Sequence, residues 1–177
     1  LDFQLWPTTR LSISGLQVSS PENVSDLPLV SLTHGEVELA IWSLLSGTVV
    51  INRLELDEPS INLVSGPEGQ TNWHFGFVQV SDEKVSALPP VIVRDILVRQ
   101  GRVRYSGPDS RLNQDLELDK LELILPEGAR DSAVTSVGRL NGSALELQGS
   151  LMLVGDDDLE ASLNLVLGTI SGSVNGT

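Results

Sequence analysis

The stretch VVINRLELDEPSINLV at residues 49–64 decides the fold class, because apolar and polar residues alternate through most of it. Residues 54–56 (Leu-Glu-Leu) and 61–63 (Ile-Asn-Leu) show this alternation most clearly. A period of two is typical of a β-strand that buries one face, whereas a helix repeats its apolar residues every three or four positions. The same alternation recurs along the chain, for example at 103–105 and 145–147, and no long stretch has helical spacing.

Four segments contain a step of three between apolar residues in the middle of an otherwise alternating pattern. In a regular strand such a step would move the apolar residues to the opposite face. A β-bulge or a bend at the middle of each segment would keep them on one face. The segments are 11–18, 49–56, 91–98 and 116–123, with middle pairs 14–15, 52–53, 94–95 and 119–120.

Short turns connect the predicted strands. Residues 41–46 predict one helical turn that ends at Gly47, and the Asn-Gly pairs at 141–142 and 175–176 are typical of tight β-hairpins. We therefore predict a mostly β fold. It is an antiparallel, curved sheet, or an open barrel or groove, with one or two short helical turns.

The weakest strand pattern lies at 81–90, where charged and small residues are followed by two prolines. Because proline cannot donate to a sheet ladder, we predict a linker there. This linker separates a first β half, 1–80, with its helical turn near 41–46, from a second β half, 89–177. The second half is expected to continue the same sheet.

The composition excludes several classes of function. The formal net charge is −13 and aromatic residues are 4% of the chain, whereas nucleic-acid surfaces are rich in Lys, Arg and stacking aromatics. There is no cysteine, His34 and His74 are far apart, and the acidic run 156–158 lacks the spacing of a calcium loop. No nucleophile elbow is present. We therefore predict no enzyme activity, no catalytic residue, no metal site, no cofactor and no nucleic-acid partner.

Two stretches in the first 126 residues carry more specific motifs. The first runs from residues 11–16 (Leu-Ser-Ile-Ser-Gly-Leu) through 42–47 (Trp-Ser-Leu-Leu-Ser-Gly) to the strand pattern of 50–64, and it closes with Gly69 and 72–75 (Asn-Trp-His-Phe). The second begins at Leu88 and ends near Pro126. Together they resemble the amino-terminal region of AsmA family proteins, while the last third of the chain shares only the general strand pattern.

The resemblance implies a non-catalytic periplasmic module of a double-membraned bacterium, anchored in the inner membrane by a helix upstream of Leu1. It implies a role in outer-membrane biogenesis, with phospholipid or another acyl-chain lipid bound or transported along an apolar β groove. Envelope proteins are the other partners that it implies. The alternative is a scaffold domain that assists outer-membrane protein assembly by recruiting another chain at a sheet edge.

A groove would work through aliphatic side chains, which offer dispersion contacts to an acyl chain without polar sites to trap it. The alternative is that these side chains fill a closed core. A carbohydrate-binding domain would need aromatic platforms, and Trp6, Trp42 and Trp73 are too scattered to predict one. The candidate lining residues are Leu11, Ile13, Val37, Leu39, Ile51, Ile61, Leu63, Val93 and Val103.

Overall fold

The computed structural model describes residues 8–21, 24–67, 69–73, 90–126, 132–154 and 158–176. Strands dominate this part of the chain, and the helical elements in it are the short helix α1 (Ile41–Leu45) and a 3-10 turn (Ser110–Leu112). The strands are β1 (Thr8–Val18), β2 (Val30–Ala40), β3 (Val49–Asp57), β4 (Ser60–Val64), β5 (Val91–Ser106), β6 (Gln114–Ile124), β7 (Ser132–Leu140), β8 (Ser143–Val154), β9 (Asp158–Leu167) and β10 (Ile170–Gly176).

All of these strands belong to one curved sheet in the order β1-β2-β3-β5-β6-β7-β8-β9-β10, with β4 paired to β2 and β5. The prediction of a mostly β, curved, open sheet is confirmed. The sheet is mixed rather than wholly antiparallel, because β5 runs parallel to β3 and β4. The sheet also joins the two predicted halves, since β3 and β4 precede the predicted linker and β5 follows it. Of that linker, 81–90, only Pro90 is among the described residues.

Strands β3 and β4 form one path along β5. Val49 pairs with Val91 in β3 and Ser60 with Arg102 in β4, so the register along β5 is the same on both sides of the break. The break itself is at Glu58, which has a φ of 53°.

A row of irregular positions crosses the sheet from β1 to β6 at the level of this break. The register places Gly15, Thr33, Glu58, Gln100 and Asp119 side by side. Gly15 and Gln100 have φ values of 66° and 52°, which strands rarely adopt. At Asp119 the register between β6 and β7 shifts, as it does in a β-bulge. We call this row the crease.

The crease keeps apolar side chains on one face of the sheet. Positions on that face are three residues apart across the crease, instead of two. Examples are positions 32 and 35 of β2 and positions 98 and 101 of β5. A Leu32 methyl lies 2.9 Å from where a Cβ on Gly35 would stand, and a Val98 methyl lies 2.8 Å from the same point on Gly101. Both members of each pair therefore lie on the same side, which regular alternation would forbid.

The middle pairs predicted to be bulged are confirmed in part. Register shifts occur at Asn52, opposite Glu38 and Leu39, and at Asp119. The pair 14–15 lies in the crease and contains the positive φ of Gly15. At 94–95 the register of β5 with β3 does not change. These irregularities explain how a step of three can leave the apolar face unchanged.

Two turn predictions are confirmed and a third is wrong. Helix α1 ends at Leu45 and is followed, after Ser46, by Gly47 with a φ of 76°. Asn141 and Gly142 have φ values of 50° and 81°, as a type I′ hairpin turn requires. Residues 175–176 form no turn, because they pair with β9 as part of β10. The turn between β9 and β10 is instead at Gly168, with a φ of 58°, where Asn is not needed because glycine supplies that conformation itself.

The glycine at position 138 is required by a close backbone approach. A Cβ there would lie 2.0 Å from the backbone oxygen of Glu117, next to the bulge of β6. We expect Gly138→Ala to lower the free energy of unfolding by about 2 kcal/mol, since the backbone must move to admit a methyl group. Urea denaturation measures this change.

The matched control is Gly172→Ala in β10, where a Cβ would meet no atom within 4 Å. Its free energy of unfolding should change by less than about 0.5 kcal/mol. Equal effects of the two substitutions would contradict the close approach of β6 and β7.

Candidate functional site: an open aliphatic sheet face

The two faces of the sheet differ in chemistry from one edge to the other. Cross-strand partners share a face, so a row of partners across all the strands samples one side. One such row, the inner row, consists of Leu11, Val37, Leu54, Ile96, Leu123, Val134, Gly149, Leu163 and Val174. The next row, the outer row, consists of Ser12, Glu36, Glu55, Leu97, Glu122, Thr135, Gln148, Asn164 and Ser173.

The inner row has no polar side chain, whereas the outer row is polar except for Leu97, which is itself buried with 7% of its surface exposed. We call the side of the inner row the inner face and the opposite side the outer face. In the described strands, no charged residue occupies a regular position on the inner face. The charged residues of these strands lie on the outer face or at irregular positions such as Arg94 and Asp119.

The inner face is not covered by a second layer within the described part of the chain. Leu11, Ile13 and Leu165 expose 48%, 40% and 42% of their surfaces. The described residues contain few buried aliphatic side chains, and these are Leu29, Leu32, Val50, Leu97 and Val98.

Strand β7 carries small side chains on the inner face. Its inward residues Ser132, Ser136 and Gly138 are buried, while Thr135 and Val137 between them are exposed. In the same rows the inward neighbours are leucines of β6 and β8, such as those opposite Ser136 at 121 and 147. The larger leucines on either side shield these small side chains from water, so the inner face of β7 is covered by side chains of β6 and β8.

Ion pairs connect neighbouring strands on the outer face. Arg99 donates hydrogen bonds to Glu55 (2.8 Å) and Asp57 (3.0 Å), and Arg53 donates to Glu55 (2.5 Å). The hydrogen bond from Arg99, followed by that from Arg53, lowers the pKa of Glu55 although partial burial opposes this. Glu55 therefore stays ionised at neutral pH and is matched by two cations. Each of these exposed pairs contributes little stability. Their charged groups make the outer face the hydrated one.

A second ion pair lies toward the other end of β5. Arg102 donates through Nε to Asp115 (2.8 Å) and also contacts Glu117 (3.3 Å). The hydrogen bond from Arg102 lowers the pKa of Asp115, with burial acting in the opposite direction. The arginines that cluster at 94–104 are thus largely engaged with acidic neighbours or, for Arg94, with Asn52 (3.1 Å).

One fully buried polar residue fixes the far end of the sheet, which is the end where β4 and β5 finish. The side chain of Asn72, 0% exposed, donates to Ser20 Oγ (2.9 Å) and to the backbone oxygen of Asn62 (2.7 Å), and it accepts from the backbone N–H of Val64 (2.8 Å). The next residue, Trp73, packs against Tyr105 with ring centroids 6.1 Å apart. The loop after β4 is therefore tied to β4 and to the chain just after β1.

A sequence model of the AsmA family matches residues 1–153, which is most of the chain. This chain belongs to the AsmA family. AsmA family protein YhjG of Escherichia coli (strain K12) is 25% identical over 124 residues, which are 68% of this chain and 18% of that protein. The chain thus spans under a fifth of the length of this relative. No solved structure matches it.

AsmA proteins are associated with the bacterial envelope, and family membership indicates an envelope-related role for this chain at that level. Among the described residues, no helix is long and apolar enough to cross a bilayer. The same part of the chain contains no group of three or more side chains able to hold a metal ion.

The predicted lining residues of this AsmA chain all lie on the inner face. Leu39 pairs with Ile51, which pairs with Val93, and Ile61 pairs with Val103. None of the predicted lining residues is buried: Leu11 and Ile13 are exposed and the others are half-buried. The fold thus brings together side chains that the sequence spreads over 93 positions, from 11 to 103.

The sequence prediction named Val93 and Val103 of β5 but missed the inward residues of β6 to β10. Their signal was present, because the same alternation of apolar and polar residues runs through 116–123 and 145–147. The aliphatic residues at inward positions of β6 to β10 include Leu116, Leu118, Leu121, Leu123, Val134, Leu140, Leu145, Leu147, Leu163, Leu165, Leu167 and Ile170.

Proposed function

We propose that this chain is a non-catalytic periplasmic module of an AsmA protein, which binds the acyl chains of phospholipid along its inner face and so takes part in lipid movement during outer-membrane biogenesis. The inner face carries this proposal, because its inner row has no polar side chain from β1 to β10, while the charged residues at regular strand positions lie on the other side. An inner-membrane anchor outside the present chain would hold the module in place.

Physical chemistry favours an acyl chain as the occupant of this face. A folded protein rarely leaves a large apolar surface exposed without a partner. Each methylene removed from water contributes about 0.8 kcal/mol, so covering about eight methylenes would contribute on the order of 6 kcal/mol. Aliphatic side chains give no fixed polar contact, so a bound chain could move along the face with little barrier. The charged headgroup would remain in water at the open side.

Identification of copurified lipid tests the proposal. The chain should be produced in the periplasm of a Gram-negative bacterium, purified without detergent and analysed by native mass spectrometry. We expect protein bound to phospholipid, which organic extraction removes and which returns when lipid is added back. Protein that is free of lipid and takes none up from added phospholipid would contradict the proposal.

The scaffold function remains the second candidate because the sheet has free edges in its described part. There β1 pairs with β2 alone and β10 with β9 alone. An unpaired strand edge can recruit an extended segment of another envelope protein. Under this function the chain would bind such a protein without lipid, and removing lipid would leave that binding unchanged.

A further inference from the structure

Apolar side chains are concentrated on both faces at one corner of the sheet. Helix α1 lies there, between β2 and β3, and it exposes Trp42, Leu44 and Leu45 by 60%, 47% and 77%. Beside it, Val91 and Ile92 at the start of β5 are 59% and 50% exposed. We call these residues the apolar tip.

The parts of the tip are adjacent in the fold. Helix α1 is fastened to β3 because Ser43 Oγ accepts a hydrogen bond from the backbone N–H of Val50 (3.2 Å) and donates one to the oxygen of Ala40 (2.6 Å). Val50 in turn pairs with Ile92. The exposed side chains of α1 are therefore presented on a strand ladder rather than on a loose loop.

The tip is uncharged on the outer face as well as on the inner face. Residues 39–52 and 88–93 contain no Asp, Glu, Lys or Arg, although the chain has 24 acidic and 11 basic residues. On the outer face of this end, Val50 pairs with Ile92, whereas the next row along the same strands carries charged side chains. Nothing in the inner-face function requires apolar residues on the outer side.

A balanced belt of charge lies directly behind the tip. The next outer-face row consists of Arg10, Glu38, Arg53 and Asp95, with two cations and two anions. Arg10 approaches Glu38 at 3.9 Å. A neutral apolar end followed by a charged belt matches the change from hydrocarbon to water across a membrane interface. Trp42 fits such a site, because tryptophan favours the headgroup level of bilayers.

We propose that the apolar tip inserts into the interfacial region of a lipid bilayer, with the charged belt at the level of the headgroups. The partner is a membrane surface and the driving force is apolar burial. Anionic lipid should not strengthen this contact, because the belt is neutral and the chain as a whole is strongly acidic. The contact is distinct from acyl-chain capture on the inner face, and either can be lost while the other remains.

Vesicle binding with paired variants tests this contact. The double substitution Trp42→Ser and Leu45→Ser removes the two most exposed side chains of α1, and Leu27→Ser, at 53% exposure, removes an exposed leucine at the far end. On phosphatidylcholine vesicles we expect the unaltered chain to sediment with lipid. The double variant should partition at least about tenfold more weakly, and Leu27→Ser should bind as the unaltered chain does. Circular dichroism should show all of them folded, because these side chains are exposed.

Site-specific labelling shows which end enters the membrane. The chain has no cysteine, so Ser46→Cys beside α1 and Ser106→Cys at the end of β5 can each carry one environment-sensitive fluorophore. Vesicles should shift the emission of the label at 46 to the blue and leave the label at 106 unchanged. Lipid capture measured by native mass spectrometry should be unaffected by Trp42→Ser and Leu45→Ser, which separates the tip from the inner face.

Several results would overturn the inference. They are absence of vesicle binding, equal binding by the double variant, or an equal response of both labels. Binding that appears only with phosphatidylglycerol would mean adsorption by charge instead of apolar insertion. If the unaltered chain is a dimer and the double variant is a monomer, a second copy of the chain covers the tip in place of a membrane.

Discussion

Asn72→Ala is expected to lower the free energy of unfolding by about 4 kcal/mol, the largest stability change anticipated for one substitution in this chain. Its side-chain hydrogen bonds to Ser20, Asn62 and Val64 would all be lost. Because the site is 0% exposed, water could not replace them without opening the structure. Each backbone group left unpaired costs on the order of 1–3 kcal/mol.

The control for this substitution is Asn113→Ala. Asn113 is exposed and its side chain accepts one long hydrogen bond, 3.2 Å, from the backbone N–H of Gly107. Its removal should cost less than about 1 kcal/mol. Chemical denaturation of both variants gives the comparison, and similar losses would show that the far end of the sheet is not held by Asn72.

Sequence patterning predicted the strands and their faces because burial on one side imposes a period of two. The lining residues chosen from that period, such as Leu39, Ile51 and Val93, do share one face. The short helix at 41–46 was predictable from its glycine stop, since Gly47 adopts the left-handed conformation that glycine favours.

The crease and the parallel strand pairing could not be predicted from local patterns. Glu58 and Gln100 have φ values of 53° and 52°, a conformation to which neither residue type is inclined. They become neighbours only because β5 lies parallel to the path of β3 and β4. Register between distant strands depends on contacts across the whole sheet, which a window of one sequence does not contain.

The parts of the candidate site also differ in whether local sequence patterns predict them. The aliphatic lining follows from the alternation of apolar and polar residues, so the sequence could predict that one face of the sheet is aliphatic. Trp42 and Leu45 gave no such signal, because an apolar run at 41–45 is equally suited to a buried turn. The sequence also could not predict the role of Asn72, since a single Asn in a loop can be either exposed or buried. Tertiary contacts decide between these outcomes.

Charges placed on the inner face should abolish lipid capture, while equal charges on the outer face should not. The inner variant combines Ile13→Asp and Leu165→Asp, at side chains 40% and 42% exposed. The outer variant combines Ser12→Asp and Val166→Asp, at the neighbouring residues of the same strands, where Val166 is 39% exposed. Each variant adds two carboxylates, so the net charge of the two proteins is the same.

Both variants should fold, because a carboxylate at a half-exposed site reaches water. In the outer variant the new carboxylates face Glu36 and Glu146, and such a pair of like charges costs less than about 1 kcal/mol. In the inner variant a bound acyl chain would have to strip water from a carboxylate. Lipid affinity should therefore fall at least about tenfold.

The amount of phospholipid bound per chain, measured by native mass spectrometry for the inner and outer variants side by side, tests the central claim most directly. We expect the outer variant to carry as much phospholipid as the unaltered chain and the inner variant to carry almost none, with both folded by circular dichroism. If the inner variant is folded and binds as much phospholipid as the outer one, the inner face does not bind acyl chains. If the inner variant fails to fold while the outer one folds, Ile13 and Leu165 belong to a closed core, and this too contradicts an open lipid-binding face.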